Sequence, residues 1–416
     1  MNILIISQHF WPESFLINSV AADLQRSGAH VTVLTGQPNY PQGKIYDGYN
    51  ALKYHAEKHP SGVMVYRVPM LPRKNGGAVN LIANYLSFML SASFLGPFLL
   101  RKSKIDVIFV FATSPVFQSL AGVVFRLIRR VALVVWVQDL WPDVLEGTGF
   151  VRNRKALSAI GFAVGWLYRR ADMILVQSNA FIEDVLARHP LAVVKYHPNT
   201  CIKLHQGGPK VDLGLGGKFS VMFAGNFGKA QALQTVLESA EILREHRDIL
   251  FVLVGTGSQA EAIANTVAQK KLNVILPGHF PSEEMAGLFK QASALLITLT
   301  KNALVSKTVP SKLQTYMATG KPILAAIDGE GSRLILEADA GFVSRAEDPI
   351  SLSKNILKLK SAGAKEQKRL GQNAVDYFEK NFQHDKLTEN LLALLENAVT
   401  SYESRNSKRK RIKNEN

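Results

Sequence analysis

One pattern constrains this chain more than any other. Short apolar runs rich in β-branched residues recur along its length, and stretches of helical periodicity separate most of them. The runs of the first half lie at residues 3–7, 31–35, 63–69, 105–112, 131–137, 173–177 and 193–196. Those of the second half lie at 220–224, 250–254, 274–276, 294–299, 323–327 and 341–344. An apolar run without alternation is the signature of a parallel strand covered by helices on both faces. Between the two series, residues 205–217 are Gly-rich and aperiodic, which marks a linker. The expected fold is α/β: two Rossmann-like, doubly wound parallel-sheet domains, 1–204 and 218–385, facing across a cleft. A C-terminal helix over 386–403 and a basic, unstructured tail over 404–416 complete the expectation.

With 416 residues and 47% hydrophobic content, the chain can bury two large cores. Its single cysteine excludes a disulfide framework and a cysteine-rich metal centre, and fits a reducing compartment. The net charge of +16 calls for an anionic partner. No recognition helix with clustered basic residues and no basic-aromatic strand motif is visible, so nucleic acid is not expected. The alternative anion is a membrane surface. Residues 75–100 hold no charge and are long enough to span a bilayer. However, Asn80, Asn84, Ser87 and Ser91 form one polar stripe, Gly96 and Pro97 interrupt the run, and strands of one domain lie on both sides. The readings are a core helix or, with Arg73, Lys74, Arg101, Lys102 and Lys104 at its ends, an interfacial helix over 79–100. Met1-Asn2-Ile3 enters a strand directly, so the expectation is a cytoplasmic protein without a secretory signal, peripheral to the inner face of the plasma membrane.

The motifs cluster after strands. Gly225-Asn226-Phe227-Gly228-Lys229 follows the first strand of the second domain, where Gly225 and Gly228 let backbone amides approach a phosphate and Lys229 adds charge. The same loop also reads as a plain strand-to-helix turn. Gly255 and Gly257 close the next strand. Phe280 either faces a nucleobase or staples a helix. Pro310-Ser311-Lys312-Leu313-Gln314 opens a short helix whose first-turn Lys312 can reach a diphosphate beside the amide of Ser311. In the first domain, three polar and aromatic loops stand at strand ends. They contain Phe10, Asn39 with Tyr40, and Asp139 with Trp141. Asp139 reads as a general base, a sugar-hydroxyl ligand or a turn residue. Asn199 reads as a cleft residue or a turn.

Together, Gln37–Gly43, Asp139–Pro142, Gly225–Gln231 and Pro310–Pro322 resemble the retaining GT-B glycosyltransferases of family 4. Within that family, the group nearest to the bacterial L-fucosamine transferases of O-antigen and capsule assembly is most similar. The resemblance implies a UDP-sugar co-substrate and no metal or other cofactor. Donor-binding residues would be Gly225, Asn226, Gly228, Gly255, Gly257, Phe280, Ser311 and Gln314, with Lys229, Lys312 and Asp139 in catalytic positions. Phe10, Asn39, Tyr40, Trp141 and Asn199 would bind the acceptor, an undecaprenyl-diphosphate-linked saccharide. Departures accompany the resemblance. Ser306 and Gln314 stand where the wider family has two glutamates, Asn226 and Gln231 where it has Arg and Lys, and Gln138 where it has His. Two other readings stay open, a UDP-sugar 2-epimerase of the same architecture and a non-catalytic scaffold of a polysaccharide complex.

Overall fold

The computed structural model describes residues 1–147, 149–200, 211–281 and 283–415. The chain divides into two units, Met1–Pro198 together with Asp385–Asn416, and Asn199–His384.

Among the described residues, the first unit holds one sheet of β1 (Asn2–Ile6), β2 (His30–Thr35), β3 (His55–Lys58), β4 (Met64–Arg67), β5 (Val107–Ala112), β6 (Ala132–Val137), β7 (Met173–Val176) and β8 (Val194–Tyr196). Their spatial order is β3-β4-β2-β1-β5-β6-β7-β8, parallel throughout except at β3. The strands expected from the sequence are all present. β3 was not expected, because His55-Ala56-Glu57-Lys58 is a polar edge strand with no apolar pattern to betray it. The second unit holds β9 (Phe219–Ala224), β10 (Ile249–Val254), β11 (Val274–Gly278), β12 (Ala294–Thr298), β13 (Ile323–Ala326) and β14 (Gly341–Ser344), all parallel, ordered β11-β10-β9-β12-β13-β14. On β9, Val221 and Phe223 enter one core while Met222 and Ala224 enter the other. Burial on both faces is why the run reads as continuously apolar.

Two expected segments differ. Of the expected linker, 205–210 lie outside the described residues. The rest packs on the second unit: Leu215 is buried in its core, and Leu213 and Val211 bond to Gln291. The expected basic tail is helical. One helix, His384–Glu415, runs through it. Leu387, Leu391, Leu395 and Ala398 are buried along that helix, the last three in the core of the first unit, and Arg405 bonds Asp172 at 2.8 Å. Packing pays the nucleation cost, and Lys, Arg and Glu then propagate the helix readily.

The uncharged segment forms the helix Ala78–Leu99. Its polarity is inverted relative to a soluble-protein helix. Asn84 and Ser93 point inward with Phe88, Ala92 and Gly96, whereas Val79, Ile82, Leu86, Leu90, Phe94 and Phe98 are exposed, Val79 at 80% and Phe94 at 76%. Asn84 is bonded on both sides, accepting from Gln8 Nε2 at 2.7 Å and donating to the Leu71 carbonyl at 2.6 Å.

Arg67, at the end of β4, is fully buried and ties three segments together. Nη1 donates to the Gly36 carbonyl at 3.0 Å, Nη2 to the Trp11 carbonyl, and Nε pairs with Glu57 of β3. Removing one partner of such a set strands the others. Arg67→Met is therefore expected to lower the unfolding free energy by about 3 kcal/mol. Urea denaturation measures this, and an unchanged midpoint would show that the loops do not depend on it.

Candidate active site

In both sheets the first strand lies inside. The chain moves to β2 on one side of β1 and later to β5 on the other, and it treats β9, β10 and β12 likewise. Loops leaving such a strand diverge and open a crevice at its carboxyl end, where α/β sites lie.

In the second unit, that loop is built backbone against backbone. Gly225 N donates to the Val254 carbonyl at 2.9 Å. Gly255 has φ +141°, and a Cβ there would stand 1.9 Å from the Gly225 carbonyl oxygen. A Cβ on Gly257 would stand 2.4 Å from Asn226 Oδ1. Gly228 then leads into the turn Lys229–Gln231, which leaves Asn226 and Lys229 exposed. Lys312 reaches the loop from the helix Ser311–Met317. Its Nζ lies 3.8 Å from the centre of the Phe223 ring and 3.0 Å from Gln231 Oε1, and a Cβ on Gly225 would approach it to 3.0 Å. Burial pushes this ammonium down to about 7, the loss of solvation being the cause. The Tyr316 hydroxyl accepts from Ala224 N at 2.9 Å, which holds the helix against the end of β9.

The other expected donor residues behave differently. Ser311 is exposed on a helix of about two turns, so the Lys312 charge supplies the attraction rather than a long helix dipole. Phe280 is half-buried against the core. The N-cap expected at Ser282 lies outside the described residues. Gln314 is 1% exposed; with its amide turned so that nitrogen faces the neighbouring carbonyls, Nε2 donates to the Ser311 carbonyl at 3.1 Å and the Pro310 carbonyl at 3.2 Å.

In the first unit, Asp139 Oδ2 accepts from Ser114 N at 3.0 Å and Ser114 Oγ at 2.7 Å, and Trp141 Nε1 donates to the same Oγ at 3.1 Å. The pair joins the loop after β6 to the loop after β5. Three of the expected acceptor residues are covered in this structure: Phe10 belongs to the core, Trp141 is 7% exposed, and Asn39 spends its amide on the Gln37 carbonyl and the Arg73 amide. Tyr40 is exposed, under the Arg73 guanidinium at 5.2 Å. Asn199 lies in the second unit, with a buried Oδ1 that has no partner among the described residues.

Sequence reasoning missed a polar rim. Gln8, Gln37, Gln138, Gln177 and His197 stand one or two residues beyond β1, β2, β6, β7 and β8, all buried. Each keeps one side-chain atom without a partner among the described residues: Gln8 Oε1, Gln37 Oε1, Gln138 Nε2, Gln177 Oε1 and His197 Nδ1. Burial pushes His197 down to about 4, so it is neutral. Buried polar atoms in native proteins are normally satisfied, so a row of such atoms marks a place where a polar ligand or water completes the set. The recurrence of Gln directly after apolar runs was the signal available in the sequence.

Comparison with known proteins agrees with this geometry. Residues 16–200 match the glycosyl transferase 4-like domain, and residues 211–377 match glycosyl transferases group 1. The chain thus carries the domain pair of a GT-B glycosyltransferase. Over 344 residues it is 25% identical to a protein of Escherichia coli (strain K12) named as the colanic acid biosynthesis glycosyl transferase WcaI, covering 77% of this chain and 82% of that one. Among solved structures, sucrose-phosphate synthase from Thermosynechococcus elongatus is similar at a TM-score of 0.70 and 15% identity, covering 96% of this chain and 99% of the other. Anabaena HepE in complex with UDP is similar at 0.69 and 16%, covering 95% and 100%. These likenesses establish the GT-B fold.

The position of Gln314 carries a prediction. A carboxylate there would face two carbonyl oxygens in a buried site. Gln314→Glu is expected to cost about 1–3 kcal/mol of stability, read as a fall in Tm. An unchanged Tm would mean that the side chain turns away from Pro310 and Ser311.

Proposed function

We propose that this protein is a retaining glycosyltransferase that moves a sugar from a UDP-sugar to a lipid-diphosphate-linked saccharide at the inner face of the plasma membrane. The observation that carries the donor half is the Lys312 ammonium, half-buried over Phe223 beside Gly225 with one neutral hydrogen-bond partner, Gln231, among the described residues. A cation so placed gains most from an anion that replaces its lost hydration. The exposed Lys229 stands on the same loop and adds a second positive charge. Solved complexes of HepE with UDP and with UDP-glucose support the choice of donor nucleotide. The lysines, rather than a metal ion, would stabilise the leaving diphosphate. The relative named for colanic acid biosynthesis supports a role in surface polysaccharide assembly, such as O-antigen or capsule. An amino-deoxy sugar such as N-acetyl-L-fucosamine is the donor we would test first, in a screen of UDP-sugars against a synthetic lipid-diphosphate sugar.

Lys312→Ala is expected to lower kcat/KM by about 2–4 kcal/mol in transition-state terms. The wild type has a pH signature as well. The free ammonium titrates at about 7, and an anion requires its charged form. UDP-glucose affinity should be flat below that pH. Above it, affinity should fall by up to about tenfold per pH unit, because binding then takes up a proton. Calorimetry across pH 6–9 reads this slope, and wild-type kinetics in Lys312→Ala would defeat the assignment.

The inverted helix Ala78–Leu99 supports the membrane half of the reading. Its exposed apolar stripe is flanked by Arg73, Lys74, Arg101, Lys102 and Lys104. Interfacial helices combine these two features. Wild-type protein should float with anionic vesicles, more weakly at high salt, and Phe94→Glu should release it. Failure of the wild type to float would remove the membrane surface from the proposal.

A further inference from the structure

A second polar constellation lies at the carboxyl end of β1, in a loop to which the donor reading gives no task. Glu13 is fully buried, and both its oxygens are engaged. Oε1 accepts from the backbone amides of Asn39 at 2.7 Å and Tyr40 at 2.6 Å. Oε2 lies 2.9 Å from His9 Nδ1. A carboxylate that receives two amides on one oxygen is an acceptor on the other also, so His9 Nδ1 carries the hydrogen. In the neutral ring, Nε2 then presents a lone pair. That nitrogen has no hydrogen-bond partner among the described residues, and it is not one of the side-chain atoms sealed from solvent. The ring is held rigidly, stacked on Phe15 at 4.9 Å and tilted against the exposed Tyr40 at 5.7 Å. Unpartnered Gln8 Oε1 stands one residue before it, and Gln37 Oε1 lies on the neighbouring loop.

We propose that His9 Nε2 is the hydrogen-bond acceptor for one hydroxyl of the acceptor saccharide, with Glu13 as the positioning residue that sets its tautomer and Tyr40 as the aromatic wall of the same subsite. The chemistry points to a neutral, hydroxyl-rich ligand. The subsite offers an aromatic face and an imidazole lone pair, groups that bind a pyranose ring and its hydroxyls. Glu13 also clamps the Tyr40 loop to the β1 loop, so ring and wall stay in register. The inference rests on the transferase reading given above.

The test uses full-length protein and a panel of methyl glycosides of glucose, galactose, N-acetylglucosamine and N-acetylgalactosamine, with saturation-transfer NMR for the glycosides and calorimetry for UDP. Wild type should give a signal with at least one glycoside. His9→Asn keeps a donor for Glu13 and removes the Nε2 position. It should bind UDP as wild type does and lose the glycoside about tenfold. His9→Gln, whose longer amide returns a polar atom near Nε2, should recover part of that loss. A wild type that binds none of the glycosides would overturn the assignment, as would a His9→Asn variant that binds its glycoside within twofold of wild type. UDP binding, measured in the same samples, reports separately on the donor reading, so the two can fail independently.

Discussion

A parallel strand covered on both faces can offer polar groups only where it ends, and the chemistry of this molecule follows from that restriction. Every residue of β5 and β6 is buried, and β9 sends alternate side chains into two separate cores. Polar side chains are thereby concentrated in the segments beyond the strands. Because the first strand of each sheet lies inside, its loop is the one that opens. The Gly225–Lys229 loop and the His9–Glu13 loop occupy equivalent places in their two units for this topological reason.

The two loops solve opposite electrostatic problems. In the second unit, a lysine is held in a place that disfavours its charge, over a phenylalanine ring and close beside Gly225. A cation so placed favours an anionic ligand. In the first unit, a carboxylate is held by two amides and an imidazole, and its charge is already compensated. What remains there is the imidazole lone pair beside an exposed aromatic ring. A charged ligand suits the first arrangement, and a hydroxylated one suits the second.

The helix Ala78–Leu99 follows the same logic with its faces exchanged. Asn84 is buried because Gln8 and the Leu71 carbonyl need its amide, and the apolar side is left outside. One bonded asparagine thus orients the helix and also ties it to the β1 loop.

Much of this was legible in the residues alone. The strands and the two parallel-sheet α/β units follow from the apolar runs. The polar edge strand β3 escaped because edge strands carry no buried face to impose a pattern. The helical course of 404–415 escaped because packing elsewhere along the helix ordered it. Within the candidate site, sequence singled out Phe10, Asn39, Trp141 and Gln314 by residue type, and the fold turns those side chains inward or onto nearby backbone. Sequence reasoning placed His9, Glu13 and several of the glutamines in strand-end loops without giving them roles, because a polar residue in a loop has no period to reveal its direction. Periodicity specifies which face of an element is buried. Which polar atoms find partners, and which are left for a ligand, is decided only when distant loops meet.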